Sequence, residues 1–395
     1  MSERNLDREL DIVLLGATGF TGSLTAVYLA EHAPAGLRWG LAGRDKARLE
    51  AVRERIAAEH PAAADAELVV ADVGDADSLA ALAGRTRVLI TTVGPYLAYG
   101  EPVVKACAEA GTDYVDLTGE AEFVDTMFVA YDAVARRTGA RIVHACGFDS
   151  VPHDLGALFT VDRLGATGPV TLRGVVRAKG GISGGTLHSA LGQMSRARQL
   201  RAAAAARKRI EQRPEGRSSR PAAGRLRRDP VLGYWLVPLP TIDPLIVARS
   251  GAALPAYGPR FRYSHYAGTK TLRYAVGGLV GAGGLALAAQ VPPLRDWLGG
   301  KLKQGDGPSE QRRAGSWFTV DFVGEAPDDG RAIHTRVSGG DPGYSETAKM
   351  LAESALCLAL DDNPEAAGCL TTAQAMGEAL TARLVAAGMR FEVVS

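Results

Sequence analysis

The stretch LLGATGFTG, residues 14–22, decides the fold of the first part of the chain. Its glycines, Gly16, Gly19 and Gly22, recur every third residue directly after the apolar run at 12–15. In a strand–turn–helix unit such glycines allow a tight turn, close approach of a pyrophosphate and close helix–strand packing. Free amides and the dipole at the helix start then bind the phosphate. The spacing is G-x-x-G-x-x-G rather than G-x-G-x-x-G, but its place between a strand and a helix predicts a dinucleotide site.

Short apolar runs alternate with helical patterns over the first 150 residues. Strands are predicted at Asp11–Leu15, Leu37–Ala42, Glu67–Ala71, Arg87–Thr92, Tyr114–Leu117 and Arg141–Ala145. Each run is short and bounded by turn residues, which is typical of parallel strands covered on both faces. The intervening segments, such as Lys46–His60, carry helix spacing. This alternation predicts an α/β fold with a Rossmann-type, doubly wound parallel sheet over residues 1–150.

The residues that follow each strand indicate which dinucleotide binds. The second strand ends at Arg44, where an NAD enzyme usually has a carboxylate. A guanidinium can bind a 2′-phosphate, so Arg44 favours NADP(H). The acidic neighbour Asp45 is expected to cap the helix that begins at Lys46. The predicted cofactor contacts are Gly16, Thr18, Gly19, Phe20, Thr21, Gly22, Arg44, Asp72, Val73, Val93, Gly94 and Tyr96.

Two of these contacts have a second interpretation. Asp72 follows the third strand, where a polar residue commonly faces the adenine, but it could equally cap the next helix. Tyr96 follows the fourth strand, at the edge where ligands of open sheets lie. Its side chain either reaches the reacting centre or covers the crevice.

Composition limits the class of protein and its partners. A chain of 395 residues is too long for one ordinary core, so we expect two domains. The net charge of +1 gives no global attraction to nucleic acid. The cysteines Cys107, Cys146, Cys357 and Cys369 form no CxxC pair, which predicts buried reduced thiols and no metal site. The charged N-terminus lacks an apolar signal region, which favours a cytoplasmic protein.

The second half of the chain has a different pattern. Strands are predicted at Pro169–Lys179, Arg260–Tyr266, Trp317–Gly324 and Ala332–Val337, the last two joined by a turn at 327–330. We expect an antiparallel sheet with one face on a helix and the other over the cofactor cleft. A final helix capped by Asp341 or Ser345 is expected to return to the Rossmann sheet, as part of a helical C-terminal region over 341–395.

Charge and hydropathy are uneven in this half. Residues 196–228 contain twelve Lys or Arg and two Glu, which makes this run strongly basic. The Pro, Ser and Gly residues at 214–224 predict that it is a mobile excursion. It is either a solvated loop or a dock for an acyl-carrier protein or an anionic membrane. Nucleic acid is not expected, because aromatic residues do not interleave with the charges.

Residues 274–291 are apolar and uncharged, near the lower length limit for a membrane span. Because their glycines disfavour a helix, we expect a buried or surface-associated element with a possible membrane contact.

These motifs resemble the saccharopine dehydrogenase family. GATGFTG, AGR at 42–44, VGPY at 93–96 and GEPVVKACAEAGTDYVDLTGE at 100–120 carry the resemblance. CGFDSVPHDLG at 146–156 and GGISGGT at 180–186 are similar to its trans-acting enoyl reductase branch, and GDPGYSETAKML at 340–351 continues the resemblance. The resemblance implies a Rossmann domain and a smaller α+β substrate domain over 151–340, with the active site between them. It also implies NADPH-dependent reduction of a carbon–carbon double bond in a lipid chain made by a polyketide synthase.

Such a reduction defines what to look for in the cleft. An enolate needs a hydrogen-bond donor, and the α-carbon needs a proton. The candidate catalytic residues are Tyr96, His153 and Ser183, with Asp149 either orienting one of them or capping a helix. No proton donor stands out from the sequence.

Two other functions stay open at this point. A saccharopine-type amino-acid dehydrogenase would need convergent arginines for its carboxylates, and Arg173 and Arg177 alternate on one strand face. A non-catalytic, NADPH-binding protein associated with lipid or membrane is the other alternative, since no acid–base pair is identified.

Overall fold

Two β-sheets organise the protein. The computed structural model describes residues 7–180, 195–291, 293 and 307–395. The first sheet contains β1 Leu10–Leu15, β2 Trp39–Gly43, β3 Glu67–Val70, β4 Thr86–Thr91, β5 Asp113–Asp116, β6 Arg141–Val143 and β14 Gly368–Leu370. Its strands are parallel, in the order β14-β6-β5-β4-β1-β2-β3. The prediction of a Rossmann-type parallel sheet is therefore confirmed, and its seventh strand comes from near the C-terminus.

The central strand β1 explains why this sheet forms from apolar runs. All six of its residues are buried. Ile12 and Leu14 point into one core, whereas Val13 and Leu15 point into the other. Because successive side chains of a strand face opposite sides, a strand covered on both faces has no polar side.

Helices cover both faces of the first sheet. They are α1 Phe20–His32, α2 Lys46–Ala57, α3 Ala76–Arg85, α4 Tyr96–Tyr99, α5 Glu101–Ala110 and α6 Ala121–Thr138. The next helix, α7 Val151–Leu164, packs on the second sheet. Later in the chain follow α8 Ala197–Ile210, α9 Asp243–Ala253, α10 Leu272–Ala289, α11 Glu310–Ala314, α12 Ser345–Leu360, α13 Thr372–Ala375 and α14 Gly377–Ala386. Helices α3, α5 and α6 contribute to one core, while α1, α2 and α12 contribute to the other.

The second sheet is mixed rather than antiparallel. It contains β7 Val170–Lys179, β8 Ser218–Pro221, β9 Arg227–Arg228, β10 Trp235–Pro238, β11 Arg260–Thr269, β12 Trp317–Ala326, β13 Arg331–Gly339 and β15 Arg390–Val393. β7 and β11 pair in parallel, which corrects the expectation of an antiparallel sheet. The long connection between them, which includes α8 and α9, makes the parallel crossover possible. The hairpin β12–β13 forms as predicted, with Gly330 at φ +63° in its turn.

The basic run 196–228 contains helix α8 and strands β8 and β9. Helix α8 packs on α6. Arg207 is buried and its Nε donates to Asp125 Oδ1 on α6 over 2.5 Å. Arg196 binds Glu122 of the same helix through two hydrogen bonds of 2.6 and 2.8 Å. The positive charges counted as solvated are thus partly neutralised by carboxylates that are distant in the sequence.

Three further expectations can be compared with the structure. The four cysteines are buried free thiols, as predicted. Asp341 Oδ2 accepts hydrogen bonds from the amides of Tyr344 and Ser345, so Asp341 holds the start of α12, which packs on β1, β4 and β5. The segment 274–291 is mostly helical despite its glycines, because α10 spans Leu272–Ala289.

Helix α7 connects the two sheets through a buried carboxylate. Asp154 is fully buried. Its Oδ1 accepts a hydrogen bond of 2.6 Å from Ser250 on α9, and its Oδ2 accepts two of 2.8 Å from the Thr372 hydroxyl and the Ala373 amide of α13. One side chain therefore ties three helices together at the junction.

Asp154→Ala should destabilise the protein strongly, because three buried donors would lose their acceptor. Each unsatisfied buried donor costs about 1–3 kcal/mol, so the free energy of unfolding should fall by about 3–5 kcal/mol. Urea denaturation measures this change. Asp162→Ala, on an exposed position of the same helix, is the matched control and should change stability by less than about 0.5 kcal/mol. Equal losses in the two variants would contradict the role of Asp154.

Candidate functional site

The glycine turn forms a cradle that side chains would fill. Gly16 has φ +92°, and a Cβ there would lie 2.7 Å from Thr92 Oγ1. A Cβ at Gly22 would lie 2.2 Å from the Gly16 carbonyl oxygen. Helix α1 begins next to Gly19 with no side-chain cap and no acidic residue in its first turn. Its free amides therefore fit the pyrophosphate of a dinucleotide.

The second half of the chain also contributes to this turn. Phe20 contacts Tyr344 edge-on, with ring centroids 5.0 Å apart. The Arg313 guanidinium carbon lies 5.8 Å from the centre of the Phe20 ring. Arg313 Nε is buried and has no hydrogen-bond partner among the described residues. A cation beside the start of α1 adds positive charge where phosphates would lie. No local pattern around Arg313 predicts this position, because Arg313 is almost 300 residues away from Phe20 in the chain.

The adenosine end of the predicted site lies after β2 and β3. Arg44 is exposed and makes no hydrogen bond or ion pair with any residue that the structure describes, so its guanidinium is available to a 2′-phosphate. Asp45 Oδ1 accepts from the Arg48 amide over 3.1 Å, which confirms its capping role. Asp72 is not the cap of α3, because Asp75 accepts from that helix instead. Asp72 Oδ1 accepts from the Gly74 amide, and Val73 is half-buried beside it.

The opposite end of the site lies after β4. Val93 is half-buried and Gly94 is exposed there, so the backbone is accessible to a ligand. Tyr96 is only 5% exposed. Its hydroxyl donates to the Thr91 carbonyl over 3.1 Å and accepts from the Leu117 amide over 3.4 Å. Burial and the nearby Asp116 raise the pKa of Tyr96 well above its usual value. The Tyr96 side chain thus links the end of β4 to the loop after β5 through its hydroxyl group.

A buried cluster of histidine and carboxylate side chains lies at the junction of the two sheets. His153 Nδ1 is 3.0 Å from Asp243 Oδ1, and His265 Nε2 is 3.5 Å from Asp243 Oδ2. His265 Nδ1 is 3.0 Å from the Tyr263 hydroxyl. The three charged or chargeable side chains are at most 4% exposed. His153 Nε2 has no hydrogen-bond partner among the described residues.

Asp149 lies near this cluster. A Cβ built on Gly119, in the loop after β5, would be 3.6 Å from Asp149 Oδ2. Asp149 therefore borders the carboxyl end of β5, two strands from β1 in the sheet. No hydrogen bond of its carboxylate to a described residue is found, so it does not cap α7, whose first turn follows Ser150.

Electrostatics separates the roles of these groups. Burial lowers the pKa of His153, but the charge of Asp243, 3.0 Å from its Nδ1, raises that pKa more, so the imidazole favours its charged form. Burial would raise the pKa of Asp243, but His153 and His265 lower it on balance. Burial lowers the pKa of His265 to about 4, so this ring is neutral. Burial and the charge of Asp243 raise the pKa of Asp149 to about 7.

The cluster can serve two kinds of chemistry. A charged His153 paired with Asp243, beside a carboxyl group that titrates near neutral pH, is suited to donating hydrogen bonds and protons. His153, Asp243 and His265 also each offer a ligand atom within 4.8 Å of the others, a spacing compatible with a metal ion.

Sequence reasoning found part of this site. Ser183 lies outside the described residues, as does the rest of GGISGGT after Gly180. Asp243 and His265 were missed, although His265 alternates with Phe261 and Tyr263 on strand β11, where a polar residue in an apolar row is a signal. Arg173 and Arg177 do not converge on a ligand. Arg173 is buried between Asp229 and Glu325, at 2.7 and 2.6 Å, and Arg177 donates to the Tyr234 hydroxyl.

Comparisons with known proteins show the family and the fold to which the chain is similar. Residues 12–143 match the saccharopine dehydrogenase NADP-binding domain. A Mycobacterium tuberculosis (strain H37Rv) protein, provisionally named a trans-acting enoyl reductase, is 41% identical over 98% of this chain and 97% of its own length. A trans-acting enoyl reductase of Mycobacterium bovis (strain BCG) is 38% identical over 97% of both chains. Apo saccharopine dehydrogenase (L-Glu forming) of Saccharomyces cerevisiae has a similar fold, with a TM-score of 0.58 and 13% identity over 98% of this chain and 100% of that chain.

Arg44→Ala should weaken NADPH binding and leave NADH binding unchanged, because only NADPH carries the 2′-phosphate. A charge-assisted bidentate contact contributes about 1.5–3 kcal/mol, so the Kd for NADPH should rise about 10- to 150-fold. Titration of nicotinamide fluorescence measures both constants. Arg48→Ala, which removes an exposed arginine from the same helix start, is the control. An unchanged NADPH/NADH ratio in Arg44→Ala would remove the basis for this assignment.

Proposed function

Because this chain belongs to the trans-acting enoyl reductases of the saccharopine dehydrogenase family, we propose that it reduces the carbon–carbon double bond of an unsaturated acyl thioester. It is an NADP-dependent, enoyl-reductase-like oxidoreductase. The observation that carries the substrate proposal is the buried His153–Asp243 pair beside Asp149, at the edge of the sheet where the reactive end of the cofactor is expected.

The chain's own residues fit the cofactor that this family uses. Arg44 and the loop with Asp72 and Val73 would hold the adenosine half, and the glycine turn would hold the pyrophosphate. The nicotinamide half then extends the other way, past Val93 and Gly94 towards the ends of β4 and β5. When bound there, NADPH supplies the hydride for the β-carbon of the substrate.

We assign the two remaining chemical tasks to Asp149 and His153. The Nε2 of a charged His153 is a buried donor with no described partner, so it can stabilise the enolate oxygen. A carboxyl group with a pKa of about 7 is half protonated at neutral pH and regains its proton readily from water. Asp149 would therefore protonate the α-carbon. Asp243 would keep His153 charged and oriented, as a positioning residue.

Tyr96 and Ser183 receive different roles. Both hydrogen bonds of the Tyr96 hydroxyl go to the backbone, which supports a positioning role for this ring under the cofactor crevice. Ser183 remains a candidate donor for the thioester carbonyl, since a serine in a glycine-rich stretch suits that task.

The ion pairs that Arg173 already makes argue against an amino-acid substrate. A saccharopine-type substrate carries several carboxylates and needs unpaired guanidinium groups. Arg173 already has Asp229 and Glu325 as partners, and Arg177 stacks on Tyr234 with its guanidinium carbon 4.5 Å from the ring centre. An apolar acyl chain makes no such demand.

The outer face of α8 suits an acidic carrier of the substrate. Arg198, Arg201, Lys208 and Arg209 are all exposed there. At 3.6 residues per turn they lie within roughly 100° of one another around the helix, so they form one basic stripe. We infer that this stripe docks the acyl-carrier domain of a polyketide synthase, because opposite charges steer such encounters.

The substrate proposal can be tested by stopped-flow measurement of NADPH oxidation. An α,β-unsaturated acyl thioester on an acyl-carrier protein should be reduced, whereas an imine formed from an amino acid and a keto acid should not react. Turnover of the imine alone would overturn the proposal in favour of an amino-acid dehydrogenase. Tight NADPH binding without turnover of either substrate would favour a non-catalytic protein.

Docking of the carrier-bound substrate on the basic stripe of α8 is tested separately. Reversing the stripe with Arg198→Glu and Arg201→Glu should raise KM at least about tenfold for the carrier-bound substrate. KM for the same acyl group on pantetheine should not change. Arg48→Glu, a reversal elsewhere on the surface, is the control. Equal effects on both substrates would contradict docking through the stripe.

Asp149→Asn should lower kcat about 100-fold or more, because the proton donor is lost, while NADPH still binds. In the wild-type protein, kcat should fall about tenfold per pH unit above pH 7, because only the protonated carboxyl donates. The variant should lose this alkaline limb. The test is to measure kcat against pH for both proteins and the metal content of the purified wild type. The role of Asp149 as proton donor is refuted if the variant keeps the loss of kcat above pH 7. It is also refuted if activity requires a stoichiometric metal. Asp162→Asn, on an exposed position of the helix α7 that follows Asp149, is the control.

A further inference from the structure

Helix α10 leaves the second sheet and is almost uncovered. Among its described side chains only Ala275 and Ala289 are buried. Tyr274, Val280 and Leu287 are 62%, 70% and 73% exposed. Apart from the neighbouring residues and backbone of α10 itself, a Cβ on any of its five glycines would meet no atom within 4 Å. The helix therefore has little protein around it along its length.

The apolar character of α10 extends around the whole helix. No Asp, Glu, Lys or Arg occurs from Tyr274 to Leu294. At 100° per residue, Tyr274, Leu279 and Val280 point in directions about 0°, 140° and 240° around the axis. A surface helix of a soluble protein has a polar side, whereas a helix that is apolar on all sides is enclosed by protein or by hydrocarbon. A groove on another protein would cover only one stripe, so hydrocarbon is the better fit.

The topology of the second sheet determines how such a helix can meet a membrane. β11 ends at Thr269, just before α10, and β12 begins at Trp317 after it. Both strands flank β7 in one sheet, so the chain leaves the folded body and returns to the same side of it. A single crossing of a bilayer would put these strands on opposite sides. At 1.5 Å per residue the helix is about 27 Å long, slightly less than the hydrocarbon core.

Basic and aromatic side chains surround the start of α10. Lys270 and Arg273 are exposed, and the Arg273 guanidinium carbon lies 5.0 Å from the Tyr274 ring centre. Trp235 pairs with Thr269 on one side and with Arg228 on the other, which brings exposed arginines of β9 to the same edge. Cationic and aromatic residues at one end of an apolar helix match the headgroup region of an anionic membrane.

We propose that α10 inserts into one leaflet of an anionic lipid bilayer, with Lys270, Arg273, Arg227 and Arg228 on the headgroups. The protein is then monotopic: it is attached to one side of the membrane and does not span it. This membrane attachment does not depend on the reaction proposed above.

Flotation of the full-length protein with phosphatidylcholine vesicles, with and without 30% phosphatidylglycerol, tests the proposal. The wild-type chain should float with both and more strongly with the anionic ones. The variant with Leu279→Asp, Val280→Asp and Leu287→Asp should lose at least about 100-fold in its vesicle partition coefficient. Lys270→Glu with Arg273→Glu should lose about tenfold or more on anionic vesicles only.

A matched control carries the same three charges elsewhere. Val129→Asp, Ile210→Asp and Val385→Asp replace apolar side chains that are 42%, 52% and 49% exposed on other helices; this variant should float like the wild type. NADPH binding in solution confirms that each variant is folded, and its outcome is independent of vesicle binding. The proposal is overturned if the wild-type chain does not float, or if the α10 variant floats equally. It is also overturned if light scattering shows a dimer that the α10 variant converts to monomer while neither binds vesicles, since α10 would then cover a second copy.

Discussion

The buried carboxylate of Asp154 is the interaction on which the arrangement of the two sheets depends. It binds Ser250, Thr372 and Ala373, and thus holds α7 against α9 and α13. The residue before it in the chain is His153, and the first residue of α9 is Asp243, so the same contact sets the distance between the two members of the charged pair. A hydrogen-bonded carboxylate without access to solvent is rigid, because any movement would leave several donors unpaired. The geometry of the candidate site follows from this one fixed point.

The parts of the fold that were predictable from sequence are those with local causes. The parallel sheet follows from short apolar strands, since a strand such as Ile12–Leu15 with both faces covered needs no polar side. The phosphate cradle follows from Gly16 and Gly22, because no other residue fits the contacts with Thr92 and the Gly16 carbonyl. Asp45 was assigned correctly as a helix cap, because a cap depends only on residues within a few positions.

The remaining features depend on contacts between distant segments. Helices α7 and α9 bring His153 and Asp243 together, and the sequence around each residue does not predict that the two are partners. The sequence shows the positive charges of the run 196–228 but not their partners, since Glu122 and Asp125 bind Arg196 and Arg207 from the distant helix α6. For α10, glycine content predicted a weak helix in water. Where water is absent, an apolar segment is more stable as a helix, because every backbone amide must then form its hydrogen bond within the segment.

The order of the strands has a consequence for how the chain acquires its structure during synthesis. The first sheet is completed by β14 at Gly368–Leu370, and the second by β15 at Arg390–Val393. One face of the first sheet, with Ile12 and Leu14, is covered by α12, which begins at Ser345. Neither sheet can therefore close until almost the whole chain has left the ribosome. Until these late segments emerge, the nascent polypeptide exposes apolar strands, and exposed apolar strands of this kind are prone to aggregate.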